Sequence, residues 1–352
     1  MPPELISRCK SFWNRTSVAT PLCGVLVNRM APLKHAPFKP GLLTAADITV
    51  EAFLAECERR HHAAMDAGGD TPYVAYPWAG LPWLDAMLGM PAQYEGGYAW
   101  SERLPTDWQE LTDESIPWDN GWFNKLTELT QAAITTANGR YPVGPTHLHG
   151  PVDLAAAMMG AEQLALAVYD APEALHKLLT VITTAWLKVV DAQYAVLPQD
   201  NLGYWNGNQP LWIPGRNMMV PADAVSMLAP DTVEEFVAPC LRRITEHLDY
   251  CIAHTHSTYL HAIDPVLEIP GFQCIQVGLD VNGPVLEEVL PVMRKIQETQ
   301  SMIVAVCQTE VGAAVEQART VLRELEPTGL CILVYLETAE KGQQFFAQLE
   351  SR

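Results

Sequence analysis

Four short apolar runs close this chain: residues 251–257, 274–280, 301–307 and 330–336. A stretch with helical patterning separates each from the next. Runs that are apolar on both faces are characteristic of strands in a parallel sheet, covered by the helices that connect them. For a chain of 352 residues this alternation predicts an α/β fold, read as a single (β/α)8 TIM barrel. In such a barrel the functional site lies at the carboxyl ends of the strands. The first closing run ends in His254-Thr255-His256. Side chains at i and i+2 of a strand share a face, so both imidazoles should project together into the mouth.

The preceding part of the chain is less regular. Residues 1–45 read as an N-terminal extension, irregular and rich in proline over the first forty, and residues 46–352 as the barrel. The patterning predicts helices over 49–65, 124–138, 170–196 and 231–250. It predicts strands over 71–77 and 141–148, a weak strand over 201–206 and a loop over 207–221. Residues 78–122 carry Trp78, Trp83, Trp100, Trp108, Trp118 and Trp122 and read as an insertion. Most of these tryptophans are expected to pack a small subdomain.

Charge limits the partners. The formal net charge is −19, which argues against nucleic acid and anionic membrane. Hydrophobic residues make up 49% of the chain, enough for a large core, and no apolar run reaches the length of a membrane span. The eight cysteines are scattered without a CxxC pair, several inside strand runs. The N-terminus lacks the apolar stretch of a secretory leader, so a reducing cytoplasm is the expected compartment.

One order of motifs is more specific. Residues 144–160 (GPTHLHGPVDLAAAMMG) are followed by Asp170-Ala-Pro-Glu173, then Asp223-Ala-Val-Ser-Met-Leu-Ala-Pro230, then Glu235-Phe-Val-Ala-Pro239, then the strand ending at His254-Thr-His-Ser257. This order resembles the uroporphyrinogen decarboxylase superfamily, and its methyltransferase-like and uncharacterised branches more than the haem-pathway decarboxylase. Cobalamin-independent methionine synthase has a related barrel. The resemblance spans roughly residues 45–350 and implies a site on the barrel's C-terminal face. In the methyltransferase branch it implies a zinc ion held by a His-x-Cys pair and a later Cys, with a thiol acceptor and a corrinoid protein as methyl donor. His254 matches the first ligand. His256 stands in place of the Cys, and Leu336-Glu337-Thr338 after the last strand brings no thiol. The decarboxylase uses an arginine-rich N-terminal loop for four carboxylates, where this chain has only the isolated Arg15 and Arg29.

The residues suggest their own chemistry. Two histidines spaced i, i+2 on an inward strand end can share zinc or another divalent ion, with Glu310, Cys307 or Glu337 as candidate third ligand. The bland alternative is a pair of hydrogen-bonded histidines without metal. His147 and His149 repeat the spacing, so His149 is a candidate acid–base group and His147 a candidate substrate contact; a helix-capping or core role competes, most strongly for His147. Asp223 is a candidate base or orienting group. Tyr204, Trp205 and Asn206 could wall a flat ligand, and Gln276, polar in an apolar strand, should face a partner or the site. Asp280 reads as turn chemistry and Asp153 as a helix cap.

Three functions follow in order: methyl transfer between a small molecule or corrinoid and an acceptor, with or without metal; metal-free decarboxylation of a carboxylated small molecule; and an inactive binding subunit. A corrinoid protein and a second copy of the chain are the candidate protein partners.

Overall fold

The computed structural model describes residues 2–29, 32–78 and 80–351. Its central feature is a six-stranded, wholly parallel sheet. The strands are β1 (Leu22–Val27), β2 (Asn217–Val220), β3 (Tyr250–His256), β4 (Phe272–Leu279), β5 (Ser301–Val306) and β6 (Leu330–Leu336). Their spatial order is β1-β6-β5-β4-β3-β2. Every residue of β5 and β6 is buried, which explains why these runs are apolar without alternation. Helices Leu286–Thr299, Val311–Glu324 and Ala339–Glu350 follow β4, β5 and β6.

Successive residues divide between two cores. Met302, Val304, Val306, Ile332 and Val334 join the larger cluster, which also takes in the helices. Ile303, Ala305, Cys331 and Leu333 join a second cluster with Ile252 and Cys274 on the other face. Ile6, Phe12 and Trp13 of the first helix (Pro3–Trp13) complete that second cluster together with Trp205, Leu211 and Trp212. The Trp13 indole donates to the Trp212 carbonyl at 2.7 Å, and Ser301 Oγ donates to the Phe12 carbonyl at 2.8 Å. Much of the segment expected to be an irregular extension is therefore structural: a helix that seals one core and an edge strand paired with β6.

The closed eight-stranded ladder is not what the hydrogen bonds form among the described residues. The two expected strands at 71–77 and 141–148 run alongside each other but share a single parallel bridge, Ala75–Val143. Two backbone bonds hold it: Ala75 N–H to the Pro142 carbonyl and Gly144 N–H to the Ala75 carbonyl, each 2.9 Å. Pro72, Pro77, Pro142 and Pro145 have no N–H to donate, so these segments stay extended without joining the ladder. The loop expected over 207–221 contains β2, the other edge strand.

The expected helices are present with shifted ends: Val50–Ala67, Trp122–Ala137 and Pro172–Tyr194. The first starts at Thr49, whose hydroxyl accepts from the Ala52 N–H. The stretch from Pro230 forms a short turn, a π-helical turn over Val233–Val237 and then Ala238–His247. The tryptophan-rich segment contributes a short helix, Trp83–Met87, and strands Ala92–Glu95 and Tyr98–Ser101, which form an antiparallel sheet with Gly41–Leu43. Its hairpin turns through Gly96 and Gly97, both at positive φ (59° and 90°), as a two-residue turn of this hand requires. Trp78, Trp83 and Trp122 are buried, in line with a packing role. Among the described residues no single helix is long and apolar enough to cross a membrane.

Candidate metal centre and cleft

Strand register builds the centre. In the β3–β4 pair His254 lies opposite Gln276, and His256 lies opposite Gly278. Gly278 leaves room for the second ring: a Cβ there would stand 3.3 Å from His256 Nδ1. His254 Nδ1 donates to Gln276 Oε1, and His256 Nδ1 donates to Asp280 Oδ1 at 2.6 Å. Asp280 also accepts from Thr258 Oγ1 at 3.0 Å and receives Ser257 Oγ at 3.3 Å. It ends β4 as an orienting carboxylate, beyond the turn role its sequence context suggested. Burial works against its ionisation, but the His256 contact outweighs this and its carboxyl sits below the usual range.

Both Nδ1 atoms thus face acceptors, which leaves both Nε2 atoms as lone-pair donors. Those two nitrogens lie 3.0 Å apart. Lone pairs that close repel unless a proton or a cation lies between them. Asp223, from the 3₁₀ turn Asp223–Met227, brings Oδ1 to 3.6 Å from His254 Nε2 and accepts the Tyr259 hydroxyl. Asp223, His254 and His256 are the one group of three such donors within 4.8 Å of one another among the described residues. Two nitrogens bonded to a tetrahedral zinc at about 2.0–2.1 Å stand roughly 3.3 Å apart, so the spacing fits such an ion. A hydrogen-bond acceptor behind each imidazole is the usual support of histidine ligands. Burial lowers the His254 pKa, which favours the neutral imidazole an ion needs.

The sequence-predicted third ligands lie elsewhere. Glu310 and Glu337 are exposed and both pair with Lys341. Cys307 is buried, with its thiol directed at the Ala305 carbonyl and its pKa pushed up to about 12 by burial, the opposite of an activated thiolate. None joins the two histidines. Asp223, expected as a base, takes the position these three were expected to fill.

The centre opens into a cleft of about 390 Å³ lined by His147, His149, Asp153, Asp223, His254 and Gln276 on the strand-end side and by Leu81, Trp83, Asp85 and Ala99 from the tryptophan-rich segment. Asp85 is 1% exposed. Its oxygens lie 3.0 and 3.1 Å from His149 Nδ1, and Ser101 Oγ donates to it at 2.8 Å. The Asp85 charge raises the His149 pKa to about 9 against the opposing effect of burial. Asp153 is not the expected helix cap: the helix starts at Pro151 after Gly150, and Asp153 lies in its first turn. Oδ1 accepts from the Ala224 N–H at 2.8 Å, and burial with the nearby Asp223 charge pushes its pKa up to about 6. His147 is half-buried, and its desolvation lowers its pKa strongly; its Nδ1 atom is buried and has no partner among the described residues.

The expected aromatic wall is not at this cleft. Trp205 is buried in the second core and bonds Asp200 at 2.9 Å, and Tyr204 packs edge-on against Tyr194. Asn206 acts indirectly: its Oδ1 accepts from the Asn208 and Gln209 N–H groups at 2.9 and 2.7 Å, fixing the turn that brings those two amides into the cleft. Asp85, Asn208, Gln209, Tyr335 and Tyr259 were missed as site residues. The only sequence signal for Asp85 was a carboxylate placed among apolar neighbours in Trp83-Leu84-Asp85-Ala86-Met87.

The fold has a known relative. Over 98% of this chain and 98% of the other, the structure is similar to a methyltransferase from Methanosarcina mazei, with a TM-score of 0.70 and 12% sequence identity. At that identity the likeness establishes a methyltransferase-like fold. No family model and no curated protein matches the sequence.

Proposed function

We propose that this protein is a metal-assisted methyltransferase of the uroporphyrinogen decarboxylase superfamily. It moves a methyl group between a small molecule or a corrinoid-bearing partner and an acceptor in the strand-end cleft. The observation that carries this reading is the pair of imidazole Nε2 atoms 3.0 Å apart, each ring backed by an acceptor at Nδ1, with Asp223 beside them. The fold shared with a methyltransferase supports it. Two imidazoles and a carboxylate suit zinc or another borderline divalent ion, and would make it a harder, more electrophilic centre than thiolate ligands do. Such an ion supplies Lewis acidity, which lowers the pKa of a thiol or water acceptor. In the protein itself, Gln276 and Asp280 hold the ring orientations, Tyr259 holds Asp223, and Leu81, Pro82, Trp83 and Ala99 give the cleft an apolar side.

The test is metal analysis of protein purified without a histidine tag, with methyl transfer from methylcobalamin to a panel of thiols and uroporphyrinogen consumption assayed in parallel. About one divalent ion per chain is expected, falling sharply in H254A, H256A and D223N. Unchanged metal content in folded variants overturns the metal centre. Porphyrinogen decarboxylation without methyl transfer moves the reading to a lyase.

A further inference from the structure

Across the cleft from the two strand histidines stands a second couple, Asp85 with His149. Its parts come from unrelated segments, the tryptophan-rich insertion and the extended stretch before helix Pro151–Met159. Asp85 is buried and bonded twice, by Ser101 Oγ and by His149 Nδ1. With Nδ1 turned to the carboxylate, the Nε2–H of His149 has no protein acceptor among the described residues, and the half-exposed ring lines the cleft. A buried carboxylate needs a partner to offset its lost hydration, and an apolar side chain at position 85 would spare that cost. Other polar atoms of the same wall are also unpartnered among the described residues: His147 Nδ1, Asn208 Oδ1 and Gln209 Oε1, all buried. Four unpaired polar groups around one space indicate a ligand with polar atoms of its own.

We propose that Asp85 and His149 form a proton-donating couple that receives the departing heteroatom of the methyl donor, so that the substrate carries its methyl on a basic oxygen or nitrogen. The reaction rests on the methyltransferase reading above; the binding rests on the cleft alone. In the step, the bond between methyl carbon and heteroatom breaks. The methyl passes to a nucleophilic acceptor of the thiolate or reduced-corrinoid class. The heteroatom keeps the bonding pair and takes the proton of His149 Nε2, and the neutral imidazole is reprotonated from solvent. An alkoxide or amide anion is a poor leaving group without that proton, whereas a sulfur-bound methyl needs none. His149 is charged at neutral pH because Asp85 raises its pKa to about 9. Asp153 and Asp223, from the helix and the 3₁₀ turn packed beside it, act in the same direction, and burial opposes them. His149 touches the substrate and is the catalytic residue; Asp85 is a positioning residue.

The experiment uses 4-nitrophenol, whose colour reports its ionisation, as a probe of the leaving group. It is titrated into the purified protein, into the same protein stripped with a chelator, and into H149Q and D85N checked for folding. Wild type, stripped or not, should bind the probe and shift it to the phenolate. H149Q should bind it about tenfold or more weakly, the scale of one hydrogen bond to a charged group. In D85N the His149 ring, followed by NMR, should titrate well below its wild-type pKa, a change that a merely structural Asp85 would not cause. Equal binding by H149Q, or no binding by wild type, overturns the proposal whatever the metal content. Absence of metal with probe binding retained overturns the ion centre alone.

Discussion

At the scale of single residues the site depends on partners one step removed from the chemistry. Asp280 meets the His256 ring on the side away from the centre, yet it fixes which nitrogen faces the centre. D280N should therefore lower divalent-ion affinity by about 10–100-fold while the protein stays folded, measured by competition with a chromophoric chelator. An affinity equal to wild type would mean that the carboxylate has no orienting role. The Asp85–His149 couple gives a pH signature. Its His has a folded pKa of about 9, above an ordinary value of about 6.5. A raised pKa stabilises the fold fully below pH ~6.5, and that contribution is lost as pH rises through about 9. Asp85 is depressed, so its contribution is lost instead as pH falls below the carboxylate range. Wild type should exceed D85N in urea stability by about 1–2 kcal/mol at pH 6, an amount reduced for the half-exposed ring, and by little at pH 9.5. A constant difference across that interval would show that the couple does not titrate as described.

At the scale of elements, close backbone approaches place the site. Gly150 starts the helix Pro151–Met159, and a Cβ there would collide with the Pro221 carbonyl. That contact joins the segment carrying His149 and Asp153 to the turn carrying Asp223. Backbone on both sides cannot yield cheaply, so G150A should destabilise by about 1–3 kcal/mol or more and weaken metal binding at the same time. Gly312 is the contrast: it is exposed, inside helix Val311–Glu324, and an added methyl group would meet nothing within 4 Å. G312A should be neutral or stabilising by about 0.4–1 kcal/mol. Thermal melts of both variants test the pair. If G150A melts like wild type, the two segments are not held by that contact.

The same elements show what sequence can carry. The four closing strands were legible because burial on both faces leaves an uninterrupted apolar run. β2 was not, since it has four residues and opens with the polar Asn217. β1 was hidden among prolines and turns. The segments at 71–77 and 141–148 have strand-like composition, but their prolines remove the donors a ladder needs. In the site, the His254–His256 spacing survived because strand geometry alone sets it. The third member did not: Asp223 reaches His254 from a turn some thirty residues earlier, a proximity no local pattern encodes. Glu310 and Glu337 sit after the expected strands, but Lys341 holds them at the surface.

At the scale of the whole molecule, the strand order places β1 beside β6, with Leu22 opposite Cys331. Apart from a single antiparallel bridge between Gly24 and Gly69, the sheet's earliest strand thus pairs with its latest, more than three hundred residues on. At about 5–20 residues per second, a ribosome leaves Leu22–Val27 without its ladder partner for roughly 15–60 s. Helix Pro3–Trp13 is in the same position, because the core it seals includes Ile303, Cys331 and Leu333. During synthesis the nascent chain therefore presents the apolar face of an amphipathic helix and a strand whose ladder edge meets only residues 69 and 70 until the last strand is made, and a chaperone's hold on the first thirty residues would be released only when that strand emerges.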